Sequence, residues 1–171
     1  YHEWVLRNTN FGLALGYFKP MTNHFVYVDK CLVQDQEVNQ IAQLALKLFR
    51  KYRFKAYDLR NKEGTLYNVV VRYFKDTDQA SVVFVVGEHN PKLDLIAEEM
   101  VETFKSIKSV GYSLYHADSQ VMLYNPVVIL AGQEKIRTKY HGLPLSVSPK
   151  GTYPNHPAIF EKMDDIILEE T

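Results

Sequence analysis

The fold of this chain is decided by two neighbouring segments that are rich in valine, LYNVVVRYF at residues 66–74 and SVVFVV at residues 81–86. β-Branched side chains restrict χ1 and pack well on a pleated surface, so both segments are predicted to be strands. The connector between them, KDTDQA at residues 75–80, is polar and typical of a turn. We therefore predict a β-hairpin in the middle of the chain.

Two amphipathic helices are predicted on either side of this hairpin. Apolar residues recur at helical spacing from Val38 to Tyr52, just after Asp35, which is a suitable N-cap. Downstream, Pro91 can occupy the first turn of a second helix, whose apolar residues run from Leu93 to Phe104. With a strand at each end, residues 26–116 have the order strand, helix, strand, strand, helix, strand. That order predicts an α+β fold with a ferredoxin-like βαββαβ antiparallel sheet and both helices on one face.

The last third of the chain has a different pattern. Three short strands separated by glycine and proline are predicted between residues 127 and 147, and a third amphipathic helix follows residue 157. We predict a central ferredoxin-like domain with N-terminal strands at residues 1–125. Residues 126–171 are predicted to form a small β extension and a connecting helix.

Composition and charge exclude several classes of protein. Of the 171 residues, 46% are apolar and 23% are charged, which is too apolar for a disordered tail and too charged for a membrane protein. The 20 basic and 20 acidic residues balance, which argues against a generic binder of polyanions. The lone Cys31 and the absence of a signal-peptide pattern favour a reducing, cytoplasmic location. Because the chain begins with Tyr1, and its last helix has no C-cap glycine, we expect it to be a piece of a longer protein.

The sequence contains no recognisable active site. It lacks G-x-G-x-x-G, the phosphate-binding P-loop and the nucleophile elbow. Its histidines never fall at H-x-H or H-x-x-x-H spacing, which would let two imidazoles reach one metal. Asp164 and Asp165 are adjacent on the third predicted helix, where neighbours point apart, so we interpret them as part of a solvated face. No catalytic residue is predicted in this chain.

Two features of the sequence allow more than one interpretation. A dense group of cations surrounds the end of the first predicted helix: Lys47, Arg50, Lys51, Arg53, Lys55, Arg60 and Lys62. Such a group could bind phosphates or could be ordinary solvated surface. Cys31 could be a small buried hydrophobe or a reactive thiol, although nothing adjacent predicts a lowered pKa.

The strongest local signal is GQEKI at residues 132–136, followed by YHGLPLSVSP at residues 140–149. It resembles, without gaps, the segment G-x-x-x-I-x-x-x-L-x-G-L-x-F-x-I-S-P of RNA (uracil-5-)methyltransferases. Three further elements occur in the order of that family. LRN at residues 6–8 resembles Y-R-N-K, VDKCLVQ at residues 28–34 resembles [IV]-x-[HK]-C-P-[VIL]-Q, and VVVR at residues 69–72 resembles an element ending in V-R.

The resemblance covers nearly the whole chain and implies a function. It implies the RNA-recognising central segment of an S-adenosylmethionine-dependent RNA uracil-5 methyltransferase that modifies tRNA or rRNA. The Rossmann-like domain with the S-adenosylmethionine site and the nucleophilic cysteine would follow Thr171. We expect RNA as the partner, no membrane association and a monomer. The alternative is a non-catalytic RNA- or protein-binding module that has diverged from the family, because Pro154 replaces the glutamine of the family's F-F-Q-x-N-P element.

The resemblance also implies roles for individual residues. Arg7 and Arg72 match recurrent basic positions that could contact RNA phosphate or form structural ion pairs. Tyr153 keeps one of two aromatic positions and could stack on a base. Cys31 matches the last of four cysteines that hold an iron–sulfur cluster in many members, and the other three would precede Tyr1. The candidate RNA-binding residues are Arg7, Lys51, Arg53, Arg72, Lys150 and Tyr153.

Overall fold

The computed structural model describes residues 2–58, 60–115, 123, 125–154 and 157–169. The strands are β1 His2–Thr9, β2 Gly12–Phe18, β3 Phe25–Tyr27, β4 Leu66–Phe74, β5 Gln79–Val86, β6 Ile107–Leu114, β7 Val127–Gly132, β8 Ile136–Tyr140 and β9 Leu143–Val147. The helices are α1 Gln36–Lys51, α2 Lys92–Thr103 and α3 Pro157–Glu169. The central hairpin, the three helices and the C-terminal strands therefore form where the sequence predicts them. His116, the predicted end of the sixth strand, lies outside the described residues.

The main sheet has seven strands in the order β3-β2-β1-β4-β5-β6-β7, and β8 and β9 form a separate hairpin. All neighbours in the main sheet are antiparallel except β5 and β6, which run parallel. Since α2 connects β5 to β6, the chain returns to the same end of the sheet before the second strand begins. The part of the chain that is described contains no helix long and apolar enough to cross a membrane.

The α+β class is confirmed, and so is the placement of α1 and α2 on one face, where both contribute to a single core. The ferredoxin-like arrangement is not confirmed. The expected all-antiparallel sheet is wrong for β5 and β6, and the strand before α1, β3, lies at the far edge and pairs only with β2. The predicted short strand after residue 126, β7, pairs with β6 in the main sheet.

The valines of the central hairpin alternate between two buried faces. Val69 and Val71 face α1 and α2, together with Phe84 of β5. Val70 and Val83 face the opposite side, where tyrosine side chains pack against them. An uninterrupted run of valines is typical of a strand that is covered on both sides, which explains the composition of this segment.

An aromatic cluster lies on the same face as the helices, beside Cys31. The rings of Trp4 and Tyr17 stack with centroids 5.1 Å apart, and His2 packs edge-on against Trp4 at 4.8 Å. His2 Nε2 also forms a hydrogen bond with the hydroxyl of Tyr17. Burial lowers the pKa of His2 to about 4, and the nearby N-terminal charge acts in the same direction. Burial, assisted by Cys31, raises the pKa of Tyr17.

This cluster makes stability depend on pH. In the unfolded chain His2 takes up a proton near pH 6.5, as an ordinary histidine does, whereas in the folded chain it stays neutral down to about pH 4. Protons therefore favour the unfolded state, and the free energy of unfolding is expected to fall as the pH is lowered from 6.5 to 4. Urea unfolding at several pH values should show this slope reduced in His2→Gln and retained in His24→Gln, a change at an exposed histidine. Equal slopes in the two variants would contradict the assignment.

Candidate nucleic-acid interface

The β8–β9 hairpin is attached to the turn of the central hairpin. The carboxylate of Asp76 accepts hydrogen bonds from the hydroxyl of Thr138 at 2.9 Å and from the backbone N–H of Lys139 at 3.0 Å. Beneath these bonds, Ile136 and Val147 pack against Phe74 at the end of β4. The C-terminal extension is therefore anchored by a buried apolar contact and by one carboxylate in the β4–β5 turn.

Arg72 and Tyr153 lie at this anchor and hold the chain that follows β9. Arg72 is 8% exposed, and its Nη1 donates to the carbonyl oxygens of Gly151 at 2.6 Å and Ser148 at 3.4 Å. The Tyr153 hydroxyl donates to the carbonyl of Lys139 at 3.1 Å, and its ring packs edge-on against Phe74. Both side chains thus position the segment 148–153, and their role in RNA binding stays a prediction.

A cleft of about 480 Å³ opens between this anchor and the start of α3. Its charged wall residues are Asp35, Arg72, Lys75, Asp76, Lys139 and Glu161. Lys75 and Asp35 form an ion pair at 3.4 Å. The cleft is within the size range of small-molecule sites, but its cations and carboxylates balance, so charge alone does not favour an anion there. Lys150 is exposed on the turn that Arg72 holds.

Helix α3 contacts the β8–β9 hairpin through its polar face. The hydroxyl of Tyr140 donates to Asp164 at 2.5 Å, and the backbone N–H of His141 donates to Glu161 at 2.7 Å. The hydrogen bond to the Asp164 carboxylate raises the pKa of Tyr140 to about 12 and lowers the pKa of Asp164. His141 also lies 3.6 Å from Asp165. Both aspartates are largely solvated, as the sequence analysis expects, with side chains 41% and 63% exposed, and both also contact His141 of the hairpin.

The apolar side of α3 is exposed. No residue of this helix is buried, and Ile159, Phe160, Met163 and Ile166 are each 45–61% exposed. These positions share one helical face, since they recur at spacings of three and four residues. An amphipathic helix that uses its polar face for its own chain presents its apolar face outward.

The cations near the end of α1 do not form one open patch. Lys51 Nζ contacts both carboxylate oxygens of Glu99 in α2, at 2.7 and 2.8 Å, and this hydrogen bond raises the pKa of Lys51. Arg50 donates from Nε and Nη2 to the carbonyl of Leu13 at 2.9 and 2.6 Å. Arg53 and Lys55 are exposed just beyond the helix, and Arg53 has a positive φ of 60°. The cluster predicted from the sequence therefore combines structural cations with exposed ones.

Arg7 lies elsewhere, on the sheet face opposite the helices. Its Nη1 donates to the carbonyl of Tyr57 at 3.0 Å, and its guanidinium lies 4.9 Å from the centre of the Phe18 ring. Tyr57 stacks on Tyr67, which is the extra residue at an irregularity in the β4–β5 register. The sequence analysis missed these two tyrosines because one follows α1 in a connecting segment and the other depends on that irregularity.

Cys31 is a half-buried thiol that packs against the core. The side chain of Asn39 holds its backbone: the N–H of Cys31 donates to Oδ1 at 2.7 Å, and its carbonyl accepts from Nδ2 at 3.1 Å. Among the described residues, no group of three His, Cys, Asp or Glu side chains could hold a metal ion. The iron–sulfur role of Cys31 stays a prediction, because the other three ligands would precede Tyr1, and its packing against the core agrees with the buried-thiol interpretation.

The anchor at Arg72 leads to a stability prediction. Arg72→Leu removes the donor that serves the Gly151 carbonyl, and loss of such a buried charged hydrogen bond is expected to lower the free energy of unfolding by about 1–3 kcal/mol. Urea unfolding measures the loss, and trypsin should cut faster after Lys150 once the turn is released. Arg137→Leu, at an exposed arginine of β8, is the matched control. Unchanged cleavage after Lys150 in Arg72→Leu would show that the guanidinium does not hold this turn.

Comparisons with known proteins place this geometry in context. The chain is 26% identical over 162 residues to an uncharacterized RNA methyltransferase of Oceanobacillus iheyensis, matching 94% of this chain and 35% of that protein. It is also 26% identical over 161 residues to an uncharacterized RNA methyltransferase of Streptococcus agalactiae, matching 92% of this chain and 35% of that protein. No protein-family model matches the chain.

A solved structure shares the fold. The crystal structure of Pyrococcus abyssi tRNA (uracil-54, C5)-methyltransferase in complex with S-adenosyl-L-homocysteine superposes with a TM-score of 0.76 at 19% identity, covering 98% of this chain and 39% of that one. The chain thus spans little more than a third of the length of the proteins it resembles. The resemblance to RNA methyltransferases that the sequence motifs indicated is confirmed.

Proposed function

We propose that this chain, which is related to RNA methyltransferases over nearly its whole length, is the RNA-recognising central segment of an RNA uracil-5 methyltransferase that acts on tRNA or rRNA as a monomer. The observation that carries the proposal is the match between one folded unit and a consecutive third of several RNA methyltransferases. The ordered uracil-5 methyltransferase motifs and the likeness to a tRNA uracil-5 methyltransferase support the choice of base.

The cofactor of the proposed enzyme is S-adenosylmethionine, which supplies the methyl group. The Pyrococcus abyssi enzyme was crystallised with S-adenosyl-L-homocysteine, and the present sequence has no glycine-rich phosphate or nucleotide loop to hold such a cofactor. We therefore place the cofactor site and the catalytic cysteine in a domain outside these 171 residues. The contribution of this chain is to bind and orient RNA.

The RNA contacts of the proposal use exposed cations on the outside of the fold. Lys51, Arg53 and Lys55 lie around the C-terminal end of α1, and Lys150 lies on the turn beside the cleft. Lysine and arginine bind phosphates without reading sequence, so these residues would set affinity and orientation. The ion pair between Lys51 and Glu99 is exposed and screened by salt, so it costs little to rearrange.

Salt dependence tests this assignment. The triple variant Lys51→Gln, Arg53→Asn, Lys55→Gln removes three cations, and asparagine tolerates the positive φ at residue 53. The slope of log affinity for a tRNA against log salt concentration is expected to fall by about 2 to 3, because each lost phosphate contact removes about 0.7 to 0.9. Filter binding over a salt series measures it. The control removes Lys30, Lys105 and Lys135, three exposed lysines outside this group, and an equal loss in the control would reduce the effect to net charge.

We further propose that residues 126–171 lead toward the methyltransferase domain and that the apolar face of α3 packs against it. The exposure of Ile159, Phe160, Met163 and Ile166 supports this, as does the greater length of the relatives. A contiguous exposed apolar face on one helix is typical of an interface.

The α3 face gives a paired prediction. Phe160→Ser with Ile166→Ser should change the free energy of unfolding of the 171-residue chain by less than about 0.5 kcal/mol, because both side chains are exposed. In the complete reading frame, the same changes should lower both the unfolding temperature and methyl transfer to RNA. Differential scanning calorimetry and transfer of labelled methyl groups measure the two effects. Full retention of both in the complete protein would contradict the packing.

A non-catalytic binding module remains the second candidate, and Pro154 is the observation that favours it. Pro154 lines the cleft where the family has the glutamine of its F-F-Q-x-N element, and proline offers neither a side-chain donor nor a backbone N–H. Methyl transfer by the complete protein separates the two candidates: RNA binding without any transfer would establish the module.

A further inference from the structure

The sheet face opposite α1 and α2 carries a groove whose tyrosine lining the motifs do not identify. Two hollows of about 310 Å³ and about 440 Å³ share Arg7, Phe18 and Tyr57 in their walls, so they lie side by side on this face. Tyr67 lines the first hollow and Arg60 lines the second. We name these five residues, with the space between them, the sheet-face groove.

Aromatic rings are fixed along this groove. Tyr57 and Tyr67 stack with centroids 4.8 Å apart and an angle of 24° between their planes, and Tyr115 packs edge-on against Tyr67 at 4.8 Å. Phe18 is 36% exposed and meets Phe25 edge-on. Because neighbouring rings hold each of these side chains, a planar ligand would meet a prepared stacking surface and would lose little side-chain entropy on binding.

Cations are presented beside these rings. The Arg7 guanidinium is held between the Tyr57 carbonyl and the Phe18 ring, and Arg60 is exposed at the other end of the groove. Neither arginine belongs to an ion pair among the described residues. Each can therefore meet an external phosphate without first breaking an internal ion pair.

Polar side chains in the groove supply both hydrogen-bond donors and hydrogen-bond acceptors. The amide of Asn68 donates to the carboxylate of Glu3 at 2.6 Å in the first hollow. The carboxylate of Asp58 accepts the backbone N–H of Arg60 at 2.8 Å in the second. Carboxylates can accept further hydrogen bonds from base amino and imino groups, which a purely apolar ligand lacks.

We propose that the sheet-face groove binds unpaired nucleotides of RNA, with bases against Phe18 and Tyr57 and phosphates beside Arg7 and Arg60. Rings, cations and hydrogen-bonding groups in one groove match the three parts of a nucleotide: its flat base, its charged phosphate and its polar base edge. A duplex hides its base faces in the stack and cannot use the rings. The inference rests on the proposed function, because it takes RNA as the partner, and it adds a site and a preference for single strands.

The test uses the complete 171-residue chain and a fluorescein-labelled ten-nucleotide RNA of mixed sequence, alone and annealed to its complement. Fluorescence anisotropy should show tighter binding of the single strand. The double variant Phe18→Leu, Tyr57→Leu keeps apolar volume but removes the rings, so the affinity for the single strand should fall about 5- to 100-fold with the salt slope unchanged. Arg60→Gln should lower the salt slope by about 0.7.

Matched controls identify the cause of any loss. Phe11→Leu alters a phenylalanine that is 96% exposed in the β1–β2 turn, outside the groove, and should leave the affinity unchanged. Thermal unfolding shows whether each variant is folded. If the double variant unfolds, Phe18→Leu alone decides the question, since that ring is partly exposed and its loss should still weaken binding severalfold.

The outcomes separate this inference from the proposed function. Single-strand binding that stays within about twofold in the groove variants but weakens in the Lys51, Arg53, Lys55 variant would overturn the groove and leave the RNA-recognising segment standing. Equal affinity for single strand and duplex would also overturn the groove. No RNA binding by the parent chain at low salt would overturn the proposed function itself, and the groove with it.

Discussion

The pairing of β4 with β5 is the contact on which every other part of the structure depends. Its valines are buried on both sides, so the two strands can exist only if α1 and α2 cover one face and tyrosine side chains partly cover the other. The turn between the strands carries Asp76, which anchors the β8–β9 hairpin, and the end of β4 carries Arg72, which fixes the chain after β9. Core, groove and extension are thus arranged around a single hairpin.

Local elements could be predicted from the sequence because each has its own period. A few residues of sequence are enough to predict the two valine-rich strands, the helix after Asp35 and the helix after Pro91. The pairing of strands has no such local signal, because no residue pattern within β5 or β6 indicates that the two strands are parallel neighbours. The order of the elements alone therefore led to the prediction of an antiparallel ferredoxin-like sheet. The sheet-face groove could not be predicted for a similar reason: Tyr57 stacks on Tyr67 at an irregularity in the β4–β5 register, which has no signal in the sequence.

The family-like segment at residues 132–149 has a physical explanation in the hairpin that it builds. Gly132 has a φ of 84°, and a Cβ there would lie 2.2 Å from the carbonyl oxygen of Lys108. Gly142 has a φ of 73° in the β8–β9 turn, and Ile136 is fully buried against Phe74. The residues of this motif therefore form the turns and the buried contact that fold the extension onto the sheet. The same holds for Arg72 and Tyr153, which the motifs single out and which the structure uses to position the chain.

The contacts that attach α3 to the protein differ from those that hold the rest of the fold together. The sheet, α1 and α2 are held together by apolar packing in a shared core. By contrast, α3 is attached by its own carboxylates, which contact Tyr140 and His141 near the surface. Such hydrogen bonds compete with water, whereas burial of apolar side chains removes them from water altogether. The position of α3 therefore depends on a few surface hydrogen bonds to the β8–β9 hairpin, and a change at Tyr140 or Asp164 would affect it without disturbing the core.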